Sequence, residues 1–91
     1  MEHHFTARIE RSGDMDAAYA VVPVDIRNVY GKGRLKVEAT FDGEPYSGSV
    51  VNMGVKDADG NICYIIGITK ALRQKIGKTF GDSVDISLHA I

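Results

Sequence analysis

The sequence has little of what disulfide-rich or membrane-spanning proteins require. Its 91 residues include one cysteine, Cys63, so no internal disulfide can form, which favours a reducing compartment. No apolar run reaches the length that crosses a bilayer, and no basic segment precedes an apolar one as in a secretory signal. We therefore expect a cytoplasmic protein with no membrane partner.

An excess of charge of either sign is also missing. The chain has 11 basic and 12 acidic residues and a formal net charge of −1, which predicts no broad attraction to nucleic acid or to an anionic membrane. Apolar residues make up 44% of the chain, which is typical of a folded protein and excludes a disordered one. The length predicts a single domain, residues 1–91, with a modest core.

The signatures of catalysis and of cofactor binding are absent as well. We find no Ser-His-Asp order, no paired carboxylates in a plausible cleft and no cofactor fingerprint. Residues 57–61 match part of a calcium loop, but Ile68 stands where that loop needs a glutamate, so a hairpin turn is favoured. Cys63 lies in an apolar run and is expected to be a buried, inert thiol. We therefore expect a non-enzymatic protein with no cofactor and no metal.

Alternating apolar residues and two helix signals are what the sequence does contain. Residues 22–32 align with residues 68–78 at an offset of 46, and Phe5, Ala7 and Ile9 align at that offset with residues 51, 53 and 55. Further along, the strand 34–41 aligns with 83–90 at an offset of 49. The pattern predicts two β-β-α-β pseudo-repeats, about 4–42 and 46–91. We expect a mainly β fold with two short helices, closed into a double-split, half-closed β-barrel.

The helix ends carry their own signals. Pro23 suits the first turn of the first helix, and Gly31 suits the left-handed position that ends it. Thr69 is the expected N-cap of the second helix, Lys70–Ile76, which Gly77 ends. The core is predicted from these helices and from the inward strand positions, with these helix residues at its centre: Ile26, Leu72 and Ile76.

Two resemblances follow from quoted motifs. Val22-Pro23-x-Asp25-Ile26-Arg27-x-x-x-Gly31, followed by an alternating strand, resembles the half-barrel of AbrB-like transcriptional regulators, in which two chains each give one half. The whole chain resembles a small prokaryotic double-split β-barrel family of unknown function, whose members are sometimes followed by a YdeI/OmpD-associated bacteriocin-protection region. That resemblance is carried by Phe5-x-Ala7, Val22-Pro23, Asp42-Gly43-x-Pro45-Tyr46, Lys70-Ala71-Leu72-Arg73 with Gly77, and Gly81-Asp82-x-Val84. It implies a fold and no activity.

Arg27 and Arg73 occupy equivalent places in the two repeats, and Lys32 and Lys78 lie close after them. One interpretation is a set of anion contacts, for nucleic-acid phosphates or for the carboxylates of a partner. The AbrB resemblance implies a DNA-contacting role for Arg27. The alternative is that each arginine covers a barrel end and binds a turn carbonyl or a nearby aspartate.

Three functions follow as hypotheses. The first is a non-enzymatic β-barrel module that binds a protein partner or a small ligand. The alternative is a nucleic-acid-binding barrel related to AbrB-like regulators. The third is an oligomeric component that pairs through an exposed edge strand at residues 46–53. Because one chain carries both halves, we expect a monomer or a weak dimer.

Overall fold

The computed structural model describes residues 2–13 and 16–91 and has a mainly β architecture with two short helices, as predicted. In the described residues, no helix combines the length and apolarity needed to cross a membrane. The elements in chain order are β1 (Glu2–Arg8), β2 (Glu10–Arg11), β3 (Ala18–Val22), α1 (Ile26–Tyr30), β4 (Arg34–Phe41), β5 (Glu44–Lys56), β6 (Ile62–Ile68), α2 (Lys70–Ile76) and β7 (Ser83–Ala90).

One curled sheet contains all seven strands, in the order β1-β7-β4-β5-β6-β3-β2, and every neighbouring pair is antiparallel. The curl forms a half-barrel and brings β1 close to β3. β5 lies inside the sheet, between β4 and β6. The prediction that residues 46–53 form an exposed edge is therefore wrong, because two successive hairpins place a strand on each side of β5.

The hairpin between β4 and β5 turns on two residues, Asp42 and Gly43. Their φ angles are 52° and 87°, and Phe41 lies opposite Glu44 in the ladder. Two consecutive positive φ values are the mark of the hairpin turn whose twist matches that of the strands, and Asp-Gly is a preferred pair for it. The sequence Asp42-Gly43-Glu44-Pro45 is typical of a turn over residues 42–45. The observed turn is shorter, and Pro45 already belongs to β5, opposite Thr40.

Both helices end as predicted, but the first begins later than expected. Asp25 is the N-cap of α1, and its carboxylate accepts a hydrogen bond from the Asn28 N–H at 3.3 Å, so Pro23 precedes the helix. Thr69 caps α2 through a hydrogen bond from the Leu72 N–H at 3.1 Å. The glycines at 31 and 77 have φ of 70° and 68° and stop the helices in the left-handed conformation that glycine adopts at no steric cost.

The core lies on the concave side of the sheet and is closed by Ile26 of α1 and Leu72 of α2, as predicted, with Ile76 half-buried at its margin. Its largest fully buried side chains are Phe41, Ile9, Ile26, Ile66, Ile86, Val37, Val50 and Val84. The predicted equivalence of residues 5, 7 and 9 with 51, 53 and 55 fails. Ala7 packs against the core, whereas Met53, its predicted equivalent, is 70% exposed. In β5 it is Val50 that points inward, so its neighbours at 51 and 53 point outward.

Candidate functional site

The convex side of the sheet is divided into a polar half and an apolar half. In β1, β4 and β7 the outward positions are polar or charged and include His4, Thr6, Lys36, Glu38, Thr40, Asp85, Ser87 and His89. In β3, β5 and β6 five apolar side chains line a shallow groove of about 330 Å³: Tyr19, Val51, Met53, Val55 and Ile65. We call these five residues the apolar face.

The most buried residue of the apolar face is Ile65. In the sheet it lies directly opposite Val21 on one side and Val51 on the other. The Ile65 side chain points away from the core, whereas its neighbours Tyr64 and Ile66 point into it. Ile65 does not belong to the core cluster, yet it is only 7% exposed. Apolar neighbours on the convex surface must therefore bury it.

The sequence anticipated this arrangement in part. The nearly continuous apolar run at residues 62–66 is typical of a strand covered on both faces, and the structure buries residues 64–66 in this way. Ile62 is 53% exposed and Cys63 is half-buried, so the first two residues of β6 are not covered on both faces. The Cys63 thiol is therefore less enclosed than expected.

A second feature is built around Arg73, whose side chain is only 8% exposed. Its two terminal nitrogens both donate to one carboxylate oxygen of Asp16, at 3.2 Å each, and one also donates to the Asp16 carbonyl at 3.4 Å. The guanidinium carbon lies 4.9 Å from the centre of the Phe80 ring, which Arg11 also contacts at 5.1 Å. These contacts fix the guanidinium in place by an ion pair and a cation–π interaction.

One donor of this guanidinium is left over. Arg73 Nε is buried and has no hydrogen-bond partner among the residues that the structure describes. An unsatisfied buried donor of this kind costs about 1–3 kcal/mol. The contacts with Asp16 therefore satisfy only part of the hydrogen-bonding capacity of the Arg73 guanidinium.

Arg73 and Lys78, two of the four predicted anion-contact residues, line one open depression of about 420 Å³. Its other lining residues are Asp16, Lys70, Gln74, Gly77, Thr79 and Phe80. We call this depression the Arg73 pocket. Asp16 is its one carboxylate among the described lining residues, and it faces both Lys70, at 3.8 Å, and Arg73.

Arg27 and Lys32, the other two predicted residues, are exposed and lie elsewhere. Arg27 lines a separate depression together with Asp25, Asn52 and Asn61, and this depression shares no lining residue with the Arg73 pocket. The two arginines thus occupy matching places on their helices but different environments. The anion-contact role of all four residues stays a prediction.

Lys78 also makes the shortest ion pair of the described residues, with its ammonium nitrogen 2.6 Å from the Asp42 carboxylate. That hydrogen bond, together with one from the Asp85 backbone N–H, lowers the pKa of Asp42 below its ordinary value of 3.8 and outweighs the opposing effect of burial. The pair ties the loop after α2 to the β4–β5 turn.

We expect Asp42→Asn to change the acid end of the stability profile. Asparagine keeps the size of the side chain and tolerates the positive φ at this position, while it removes the charge. Because the pKa of Asp42 is lower in the folded state, its contribution to the free energy of unfolding is present above pH 3.8 and disappears as the pH falls through the lowered value. Urea unfolding from neutral to acid pH should show the wild type more stable near neutrality and the difference vanishing in acid.

Asp59→Asn is the matched control, since it removes the same charge from an exposed turn. Its effect on stability should be small at every pH. An Asp42→Asn difference that stays constant between neutral and acid pH would contradict the assignment of the lowered pKa to this contact.

The remaining sequence candidates have local explanations. The Asp57 carboxylate accepts hydrogen bonds from the N–H groups of Asp59 and Asn61, both at 2.9 Å, so residues 57–61 form the predicted hairpin turn. The ring of His3 contacts the Tyr30 hydroxyl at 2.8 Å. Within residues 2–13 and 16–91, no group of three or more His, Cys, Asp or Glu side chains is placed to hold a metal ion.

Sequence reasoning missed the partners of Arg73. Asp16 lies 57 positions before it, and no local pattern links the two. Phe80 and Arg11 are also brought to the pocket only by the fold. A signal for the apolar face was present, because the pair Val50-Val51 followed by Met53 breaks the alternation expected of a strand with one solvated face.

A comparison with protein-family models matches residues 5–88 to a family described as Domain of unknown function (DUF1905). The match covers most of the chain, and the expected membership of a family of unknown function is confirmed in that general form. No curated protein matches the chain. The resemblances to AbrB-like regulators and to the YdeI/OmpD-associated type stay predictions.

Proposed function

We propose that this chain, which belongs to the DUF1905 family, is a binding module that docks a protein partner through its apolar face. The observation that carries the proposal is the exposure of Met53, which is 70% accessible in the middle of an apolar groove. Contiguous apolar surface on the outside of a folded domain is typical of a protein-interaction site. Methionine is common at such surfaces because its flexible thioether adapts to different partners.

The shape of the groove favours a protein over a small molecule. Small-molecule sites enclose most of the ligand surface, whereas this groove is shallow and lies on the convex side of a sheet. Its lining is dominated by Val, Ile, Met and Tyr side chains, and the exposed tyrosine and methionine types are those enriched at protein interfaces. The expected partner therefore presents an apolar surface with few charges.

The polar half of the same sheet is the internal comparison. There the outward side chains bond to one another, as Thr6 does to Asp85 at 2.8 Å and Thr40 to Ser87 at 2.5 Å. A polar, solvated surface of this kind does not require a partner that shields it from water. The contrast between two halves of one sheet supports a docking role for the apolar half.

We expect Met53→Lys to abolish capture of the partner from the lysate of the source cells, because a charge in the centre of an apolar interface must be desolvated without a counter-charge. Loss of a central contact typically weakens binding by about 2 kcal/mol or more, roughly 30-fold. The measurement is affinity capture on the immobilised full chain, with the bound proteins quantified by mass spectrometry.

Glu38→Lys is the control, since it introduces a lysine on the polar half of the sheet. A protein retained by the wild type and by Glu38→Lys but lost with Met53→Lys is the partner that the proposal requires. Capture that is identical for all three chains, or sedimentation showing that the apolar face only pairs two copies of this chain, would contradict it.

The two-repeat architecture belongs to the same proposal. β1 pairs with β7 as β5 pairs with β4, and β2 pairs with β3 as the second part of β5 pairs with β6. If β1 and β2 are matched with the two parts of β5, β3 with β6, and β4 with β7, each pairing of one half therefore has a counterpart in the other. This correspondence supports a duplicated unit, in which the first half of the chain and the second half carry different outward surfaces.

The nucleic-acid alternative has less support. Arg27 and Arg73 do not form a common surface, and the Arg73 guanidinium is largely enclosed by the protein. A duplex interface needs several accessible cations along the path of the phosphates, and its binding weakens steeply with salt. This alternative is addressed by one arm of the experiment below.

A further inference from the structure

We infer that the Arg73 pocket binds a phosphate group, either inorganic phosphate or a small phosphomonoester, and that the Asp16 carboxylate occupies the position of that group when the ligand is absent. This site is separate from the apolar face and does not depend on the docking proposal. Three features of the pocket point to an anion: its charge balance, the unused donor of Arg73 and the accessibility of Asp16.

Among the described lining residues, the pocket holds more cations than carboxylates. Lys70 and Arg73 face one described carboxylate, that of Asp16, and Lys78 is a third lining cation, which is itself paired with Asp42. This concentration of cations occurs in a chain whose net charge is −1. A phosphate dianion compensates two cations where one carboxylate compensates them incompletely.

The geometry of Arg73 points the same way. Both of its terminal nitrogens share one oxygen of Asp16, instead of meeting two oxygens as in a bidentate pair, and Nε has no acceptor among the described residues. Its side chain is more than nine-tenths buried and is held against the Phe80 ring, so the donors are already oriented. Three or four oxygens on one tetrahedral group satisfy such a fork better than a single carboxylate oxygen does.

The Asp16 side chain is positioned so that it can move away from Arg73 into solvent. Its side chain is 56% exposed, while the side chain of Arg73 is 8% exposed, so the carboxylate lies on the solvent side of the pair. It belongs to the connection between β2 and β3, outside the strand ladder. When the Asp16 side chain rotates into solvent, it uncovers the nitrogens of Arg73 and Lys70 together. Nearby, Thr79 and Gln74 line the pocket with a hydroxyl and a carboxamide that can donate to the same ligand.

The test is a titration of the full chain with inorganic phosphate, followed by amide NMR signals, with chloride at matched ionic strength as the reference. We expect saturable shifts confined to α2, to residues 77–80 and to the neighbours of Asp16. Arg73→Lys, which keeps the charge and loses the fork, should weaken binding by about tenfold or more. Arg34→Lys, at an exposed position on β4, should leave the affinity unchanged.

Two further variants test the same proposal if Arg73→Lys does not fold. Lys70→Gln alters an exposed lysine and should weaken binding about two- to fivefold, whereas Lys36→Gln on the polar half of the sheet should not. Asp16→Asn should strengthen phosphate binding while it lowers the melting temperature, because it removes the competing carboxylate and also the internal ion pair. A purely structural pair predicts the lower melting temperature and no gain in affinity.

The proposal is overturned if phosphate produces no saturable shifts, or if it produces the same shifts in wild type, Lys70→Gln and Asp16→Asn. It is also overturned if a short DNA duplex binds at the pocket and inorganic phosphate does not, because the site then recognises a nucleic-acid backbone. A phosphate affinity that rises in Asp16→Asn and falls in Lys70→Gln supports it.

Discussion

Phe41→Ala is expected to lower the free energy of unfolding by about 3–5 kcal/mol, the largest effect of any single truncation in this fold. Phe41 is fully buried and is the largest of the enclosed side chains. Its ring meets the Tyr46 ring edge to face, with centroids 5.7 Å apart, so the truncation also removes a favourable aromatic pair. Since a domain of this size is stable by only about 5–15 kcal/mol, the loss is a large share of its total stability.

Denaturant unfolding of the wild type and Phe41→Ala measures this difference directly, provided that the slope against denaturant is unchanged. Phe41→Leu is the matched control, because it keeps most of the apolar volume and should cost less than about half as much. Near-wild-type stability of Phe41→Ala would show that the ring is not central to the core.

Leu72→Ala should cost about 2–5 kcal/mol. Leu72 is 4% exposed and is the apolar residue by which α2 closes the core. Alanine keeps the helix propensity high, so the loss reports the contact with the sheet and not the helix itself. The melting temperature and the denaturant midpoint should both fall.

Ile76 lies one helical turn beyond Leu72, is only half-buried, and packs at the margin of the core. Ile76→Ala on the same helix therefore gives the comparison for the position, with an expected cost clearly below that of Leu72→Ala. Equal costs for the two variants would contradict the assignment of Leu72 to the centre of the contact.

The two expectations for Arg73 illustrate where sequence reasoning stops. The sequence offered an anion contact and a structural role, in which the arginine covers the barrel end and binds a nearby aspartate. In the structure Arg73 binds Asp16, which is the structural role. The unused Nε and the exposed Asp16 carboxylate are the features that favour the anion contact. Both follow from contacts between residues far apart in the chain, which no local pattern encodes.

The predicted repeat shows a similar limit. The offset of 46 relates Gly31 to Gly77, and each of these glycines ends a helix, because a left-handed glycine after the last turn is a local requirement of each helix. It failed for the first strands, where Ile9 is buried and Val55 lies on the apolar face. A shift of one residue moves a strand's side chains to the other side of a sheet, and only strand pairing decides this register.

The sequence by itself determined most of the strands, the glycines that end both helices, the Thr69 N-cap, a turn at Asp42-Gly43 and most of the core, since these depend on alternation, capping and backbone preferences within a few residues. The tertiary structure alone decided that β5 is internal, that one half of the convex surface is apolar, and that Arg73 meets Asp16 and Phe80. The physical reason is that these features depend on which strands pair and in which register, and the free energy that selects the pairing comes from burying side chains contributed by the whole chain.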